Sequence, residues 1–223
     1  MGKIILEAQG LNKSYLNGNK KLNVLKDFSI LLEEKQIITI MGDSGSGKST
    51  ALNILGTLDT YDSGNLFIAG KVVKALDKTE LSNLRNQDIG FVFQFHYLLP
   101  EFTAFENVLI PTWIKGDNNT NEYANELFSS LGLSKRKEHF PSQLSGGERS
   151  RVALIRAIIN KPKILFADEP TGNLDYKNAI KLVDLLMKIN ENFNQSIILT
   201  THNPEISEIG HKKFNLVNGT LNK

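Results

Sequence analysis

The chain has 223 residues, enough to bury a large core as one domain or as a domain with a subdomain. Its formal net charge is +2 and no run of Lys or Arg forms a stripe, so the composition does not argue for nucleic acid. It contains no cysteine, which excludes disulfides, cysteine-ligated zinc and a cysteine nucleophile.

Residues 1–40 read as short strands, with turns at Asn17-Gly18-Asn19 and around Glu33-Glu34-Lys35. Residues 1–7 hold too short an apolar segment for a signal peptide, and Leu6 stands where a myristoylation site wants Ser or Thr. No apolar stretch approaches membrane-spanning length. The expectation is a soluble cytoplasmic protein whose membrane role, if any, comes through a partner.

Ile37, Ile38, Ile40 and Met41 predict a buried strand that runs into Gly42-Asp43-Ser44-Gly45-Ser46-Gly47-Lys48-Ser49. That segment is a complete G-x-x-x-x-G-K-[ST] pattern. Gly42, Gly45 and Gly47 admit backbone conformations that a Cβ blocks, so successive N–H groups can curl into a nest around phosphates. Lys48 is a point charge for the β- and γ-phosphates, and the Ser49 hydroxyl is a ligand for Mg²⁺. Thr50 continues the binding run. Residues 51–55 continue as a helix whose positive N-terminal end favours an anion. A nucleoside triphosphate is the expected ligand.

Residues 62–73 read as a turn and hairpin, 76–86 as a helix and 90–93 as a second buried strand. Gln94 follows that strand and can touch Mg²⁺ or a water. Residues 121–131 show helical spacing at Tyr123, Leu127 and Leu131. Val152, Ile155 and Ile159 suit a helix that begins just after Gly147. Ser145, Gly146 and Gly147 precede it and offer free N–H groups at a positive helix end, a second anion site. One nucleotide does not need two full cradles on one subunit, so the second is expected to serve a nucleotide bound by another subunit.

Two further apolar strands are predicted at 164–166 and 197–199, separated by a helix at 179–189. Ligands in open α/β sheets sit at the carboxyl ends of strands. Asp168 is thereby placed to hold Mg²⁺ or its water shell, and Glu169 to polarise an attacking water as general base. His202, after Leu199-Thr200-Thr201, can donate to a γ-phosphate. Strands alternating with helices predict an α/β fold with a parallel sheet, into which a helical stretch at about 95–160 is inserted. Asp117-Asn118-Asn119-Thr120-Asn121 is the expected flexible loop.

The order of these motifs resembles that of ABC transporter ATPases over essentially the whole chain. The motifs are the glycine loop at 42–49, Gln94, Leu144-Ser145-Gly146-Gly147-Glu148, the strand ending in Asp168-Glu169, Gly172-Asn173-Leu174-Asp175, and His202. The resemblance implies a P-loop NTPase core of ABC type (1–94 and 161–223) with an antiparallel β subdomain, and a helical signature subdomain at about 95–160. It implies ATP and Mg²⁺ as ligands, with Tyr15 stacked on adenine. Ser145 to Glu148 would form the signature loop, Asp175 would lie at a dimer interface, and His202 would be the switch histidine. A head-to-tail dimer would hold two ATP molecules between facing glycine and signature loops.

Thr171-Gly172-Asn173-Leu174-Asp175 looks like the group of macrolide exporters, cell-division ATPases and lipoprotein-releasing ATPases. Gln94 to Val108 is similar to the lipoprotein-releasing kind. Ser150 replaces the usual Gln, and Asn203 the usual Asp after the switch histidine. The leading reading is an ATPase subunit on the cytoplasmic face of a bacterial inner membrane. It would power lipoprotein release through membrane permease subunits docked near residues 91–110. A cell-division regulator or a macrolide or peptide exporter is the alternative. A soluble ABC protein of DNA repair or translation would want a second cassette, a coiled-coil insert or a basic arm. For the docking segment, Phe91, Phe93, Phe95, Tyr97, Leu98, Leu99, Phe102 and Phe105 are the apolar candidates, most of them expected in the core. His96, Glu101 and Glu106 form the expected polar rim.

Overall fold

A computed structural model describes residues 2–18, 20–117 and 119–222. Asn19 of the first predicted turn and Asn118 of the predicted loop lie outside the described residues. Two 14-residue strands open the chain, β1 (Ile4–Asn17) and β2 (Lys20–Glu33). The sequence suggested short strands here. The antiparallel ladder instead runs through register shifts such as Ala8/Leu11, where Gly10 takes φ 58°. Such bulges absorb irregular residues without ending the pairing.

Next come β3 (Ile37–Met41), α1 (Lys48–Leu55), β4 (Ser63–Ile68), β5 (Lys71–Val72), α2 (Lys78–Asp88) and β6 (Ile89–Phe93). The inserted stretch carries α3 (Ala104–Lys115), α4 (Asn121–Ser130) and α5 (Gly146–Ile158). The chain then returns as β7 (Ile164–Asp168), α6 (Tyr176–Phe193), β8 (Ser196–Thr201), α7 (Pro204–Ser207), β9 (Lys212–Val217) and β10 (Thr220–Asn222). Helix α6 begins before the predicted 179 because the Asp175 side chain accepts from Asn178 N–H and caps it.

One sheet is antiparallel, in the order β2-β1-β4-β5. The other has the order β10-β9-β3-β8-β7-β6; the five strands from β9 to β6 are parallel and β10 is its antiparallel edge. Side chains of the central strands alternate between two cores, as the pleat requires. Ile37, Leu165, Ala167, Ile197 and Leu199 join the helices α3 to α6 on one face. Ile38, Ile40, Ile164, Phe166 and Ile198 join α1 and the antiparallel sheet on the other. The inserted helices therefore share a core with one face of the parallel sheet. Full burial of an Ile or Leu contributes roughly 1.5–3 kcal/mol. Strands β3, β7 and β8 are thus clamped from both faces, and the loops at their carboxyl ends hang from a rigid frame.

Candidate functional site

The glycine loop leaves the carboxyl end of β3 and turns into α1. Gly45 and Gly47 sit at φ 82° and 105°, in the left-handed region that favours glycine. A Cβ on Gly42 would come within 2.6 Å of the Leu216 carbonyl oxygen, and one on Gly47 within 2.9 Å of the Val24 carbonyl oxygen. The loop is wedged against β2 and β9, which hold its shape. Helix α1 starts at Gly47 with no side-chain cap. Its first N–H groups therefore lack intrahelical partners and face the loop. The Ser46 hydroxyl is buried there without a hydrogen-bond partner. An uncapped helix end, glycines in left-handed backbone and an orphaned hydroxyl suit a polyanion.

Lys48 is nearly buried. Its ammonium donates to the carbonyls of Gly42 (2.6 Å) and Asp43 (3.1 Å) and lies 3.3 Å from Glu169 Oε1. Glu169 follows β7 with φ 44°, an uncommon conformation for a non-glycine residue. Its N–H is held by the Thr200 carbonyl and hydroxyl, each at 3.2 Å. Its Oε2 accepts from the His202 ring Nδ1 (2.8 Å) and backbone N–H (3.3 Å). One carboxylate is thus pinned between a lysine and a histidine from the ends of neighbouring strands. The Nδ1 contact makes that nitrogen the donor, and Nε2 is the ring's outward atom. Asp168 Oδ1 accepts from the Thr200 hydroxyl at 2.8 Å. Thr200 therefore orients both acidic residues, a role the sequence reading missed. Its signal is a hydroxyl side chain at the buried carboxyl end of a strand, directly after the apolar run Ile197–Leu199.

Gln94, past the end of β6, donates its amide to Asn173 Oδ1 (3.2 Å), and Asn173 donates back to the Gln94 carbonyl (3.1 Å). This clip was also missed. Gly172 lies close beside it: a Cβ there would come within 2.8 Å of Gln94 Nε2 and push that side chain out of the clip. Lys48, Ser49, Thr50, Gln94, Glu169 and His202 line a single cavity of about 480 Å³, with Val24, Ser44, Gly45 and Gly47. A second cavity of about 460 Å³ continues past Gly42, Asp43 and Ser46 and shares His202. Tyr15 is half-exposed on β1. Its hydroxyl is bonded to Asp59, and the Lys13 ammonium stands 4.7 Å from its ring centroid.

Ser145, Gly146, Gly147 and Glu148 line neither cavity. They build the start of α5 as a reciprocal capping box. Ser145 Oγ accepts from Glu148 N–H (3.3 Å), and the Glu148 carboxylate accepts from Ser145 N–H (2.8 Å). Glu148 also accepts from Arg136 Nε at 2.7 Å. These bonds, that from Arg136 foremost, pull its pKa down to about 2. Its carboxylate therefore serves the cap, and the N–H groups of the loop are what it leaves outward. Asp175 likewise caps α6, with its carboxylate on Asn178 (2.9 and 2.6 Å).

The expected docking segment around Gln94 divides sharply. Phe91 stacks on Phe93 and Phe166, each at 5.2 Å, and Phe105 packs on Phe128. Leu98 packs against the core. Phe95, Tyr97 and Leu99 are exposed, at 61%, 64% and 42%. Two members of the expected polar rim are partly buried and have local partners. His96 Nε2 is within 2.8 Å of Ser150 Oγ, and Ser150 bonds back to the Gly146 carbonyl. Glu106 is spent on the Thr103 cap of α3. Burial, then the charges of Arg149 and Arg156, hold the His96 ring below the ordinary imidazole value. The Arg156 guanidinium grips the carbonyls of His96 and Tyr97, both at 2.7 Å, and fixes the loop on α5. The unusual residues have uses: Ser150 makes the His96 contact, and Asn203 caps α7 by accepting from Glu205 N–H.

A family model described as ABC transporter matches residues 25–172. The lipoprotein-releasing system ATP-binding protein LolD of Pseudoalteromonas translucida is 45% identical over 210 residues, covering 93% of this chain and 90% of that protein. LolD of Bacteroides thetaiotaomicron is 42% identical over 221 residues, covering 98% and 100% respectively. Among solved structures, the ATP-binding cassette MJ0796, in a dimeric post-hydrolysis state bound to ADP and Pi, has a TM-score of 0.90 at 36% identity. That match covers 98% of this chain and 97% of that one. This chain belongs to the ABC transporter family, as an ATP-binding ATPase of the LolD-like kind.

Proposed function

We propose that this chain is the ATP-hydrolysing subunit of a complex on the cytoplasmic face of a bacterial inner membrane, where it powers the release of lipoproteins by separate membrane subunits. The observation that carries the catalytic part is Glu169, held between Lys48 and His202 over the uncapped end of α1. The names of the similar LolD proteins support the lipoprotein part.

In this reading the loop N–H groups and Lys48 bind the triphosphate. Lys48 has three N–H donors, now turned to Gly42, Asp43 and Glu169. On binding they pass to the phosphates and free Glu169 Oε1. Glu169 then takes the proton of the attacking water, while the His202 Nδ1–H keeps the carboxylate oriented. The hard oxygens of Ser49, Gln94 and Asp168 suit Mg²⁺, which needs few protein ligands because substrate phosphates supply the rest. When bound, it neutralises charge on the β- and γ-phosphates. Ser145 and Gly147 complete the site of a second copy in a head-to-tail dimer. The dimeric form of MJ0796 supports that arrangement.

Replacing Lys48 by Ala should weaken ATP binding at least tenfold, since a charge-assisted hydrogen bond is worth roughly 1.5–3 kcal/mol. Nucleotide titration of both proteins checks it, and equal affinities would sink the assignment.

Among the described residues no helix is long and apolar enough to cross a membrane. The closing motion therefore has to pass through contact. Phe95, Tyr97 and Leu99 are exposed on the loop that Gln94 heads, which suits docking of the membrane subunit. Tyr97→Glu or Leu99→Glu should leave basal hydrolysis within about twofold and abolish stimulation and recruitment by the permease. Co-purification decides the partner: capture of a cell-division membrane protein in place of a lipoprotein-release permease promotes the alternative.

A further inference from the structure

Tyr15 and the glycine loop belong to different layers. Tyr15 lies on β1 of the antiparallel sheet, whereas Lys48 and Ser49 open α1 against the parallel sheet. A ligand that spans both needs the two layers held in register. Asp59 supplies the link. It follows α1, and its own N–H is tied back to Asn53 O at 3.2 Å, beside Leu58 N–H on the same carbonyl at 2.7 Å. Its carboxylate then crosses to β1. One oxygen accepts from the Lys13 ammonium at 2.9 Å, and the other takes the Tyr15 hydroxyl.

Lys13 is only 7% exposed, yet its charge is fully engaged by Asp59 and by the Thr60 carbonyl at 2.6 Å. Its ammonium lies over the Tyr15 ring, 4.7 Å from the centroid, and the tyrosine as a whole is 40% exposed. Burial alone would raise the Asp59 carboxyl, but the bonds from Tyr15, Lys13 and Thr60 outweigh it and hold the group charged. Next to this strut, Asp62 Oδ2 accepts from the Ser14 N–H (2.9 Å) and hydroxyl (2.5 Å). The β1 segment around Tyr15 is thereby fastened at two points to the turn after α1.

We propose that Asp59 is a positioning residue for the nucleotide base, holding the Tyr15 ring against Lys13 at a fixed distance from the phosphate cradle of α1. The proposal rests on reading Tyr15 as the base platform. Asp59 touches neither the base nor the phosphates; its effect is to pay in the free protein the immobilisation that Tyr15 would otherwise incur on binding.

The test compares ATP with inorganic tripolyphosphate, which offers the cradle the same anion without a base. Tyr15→Phe keeps the ring and the Lys13–Asp59 pair and removes the hydroxyl with its bonds to Asp59 and Thr50, whereas Asp59→Asn leaves the Thr50 contact in place. It should raise the Kd for ATP roughly three- to tenfold, the cost of ordering one side chain at binding. Asp59→Asn should raise it to a similar degree. Both should leave tripolyphosphate binding within about twofold and kcat unchanged while KM rises. The double variant should lose little more than either single one, because both remove one tether. An equal loss of tripolyphosphate binding would show that Asp59 merely supports the loop and would overturn the proposal. So would unchanged ATP binding in Tyr15→Phe and Asp59→Asn alongside a clear loss in Tyr15→Ala. If Tyr15→Ala itself leaves ATP binding unchanged, the platform reading fails and the proposal falls with it.

Discussion

Glu169→Gln should bind ATP at least as tightly as the wild type does and hydrolyse it roughly 10²–10⁴ times more slowly, the usual cost of losing a general base. The substitution keeps shape and one acceptor oxygen. In the free protein that carboxylate meets two donors, Lys48 and His202, on separate oxygens. An amide can satisfy only one of them. Once Lys48 turns to the phosphates, the amide oxygen can face the His202 Nδ1–H, so the variant is best accommodated in the ATP-bound form. It should therefore accumulate as an ATP-bound dimer. Single-turnover hydrolysis, with light scattering for the dimer, checks both parts. Near-wild-type turnover would move the base role to His202.

Gly147→Asp should abolish ATP-driven dimer closure while sparing ATP binding to the single subunit. Moving a closed fraction from about 1% to 99% needs roughly 5.5 kcal/mol of differential binding, or about 2.7 kcal/mol from each of two ATP molecules. One or two charge-assisted hydrogen bonds from the signature loop are enough, and a carboxylate placed against the phosphate removes them. The site has an internal neighbour as well. A Cβ on Gly147 would stand 2.8 Å from Asn178 Oδ1, and Asn178 is held by Asp175. The variant is therefore best made together with Asn178→Ala, which clears that space, and compared with Asn178→Ala alone. Both are measured by light scattering with ATP in a Glu169→Gln background, after thermal unfolding has shown that each is folded. An undiminished dimer refutes the two-cradle reading.

Part of the site is legible in the chain because its chemistry is local. The glycine loop needs left-handed backbone at Gly45 and Gly47, a cation at Lys48 and a hydroxyl at Ser49, all within one turn and one helix start. The buried strands are legible too, since Ile37–Met41 and Ile164–Asp168 are short apolar runs. The first hairpin was read as short pieces because its bulges break the period of two, and only pairing across the ladder shows that the strands continue. In the docking segment, Phe91 and Phe95 look alike in the sequence. Strand β6 ends at Phe93, so the first stacks in the core and the second emerges.

The sequence by itself determined the cradle, the acidic pair at a strand end, and the family whose motifs occur in this order. The tertiary structure alone decided which groups meet. Glu169 faces Lys48 and His202 because the sheet order is β3-β8-β7, which sets three distant segments side by side. Tyr15 meets Asp59, and His96 meets Ser150, across 44 and 54 residues. Residue type and spacing encode local backbone geometry. Strand order and the closure of distant segments arise from burying two faces of one sheet at once, and no window of sequence contains them.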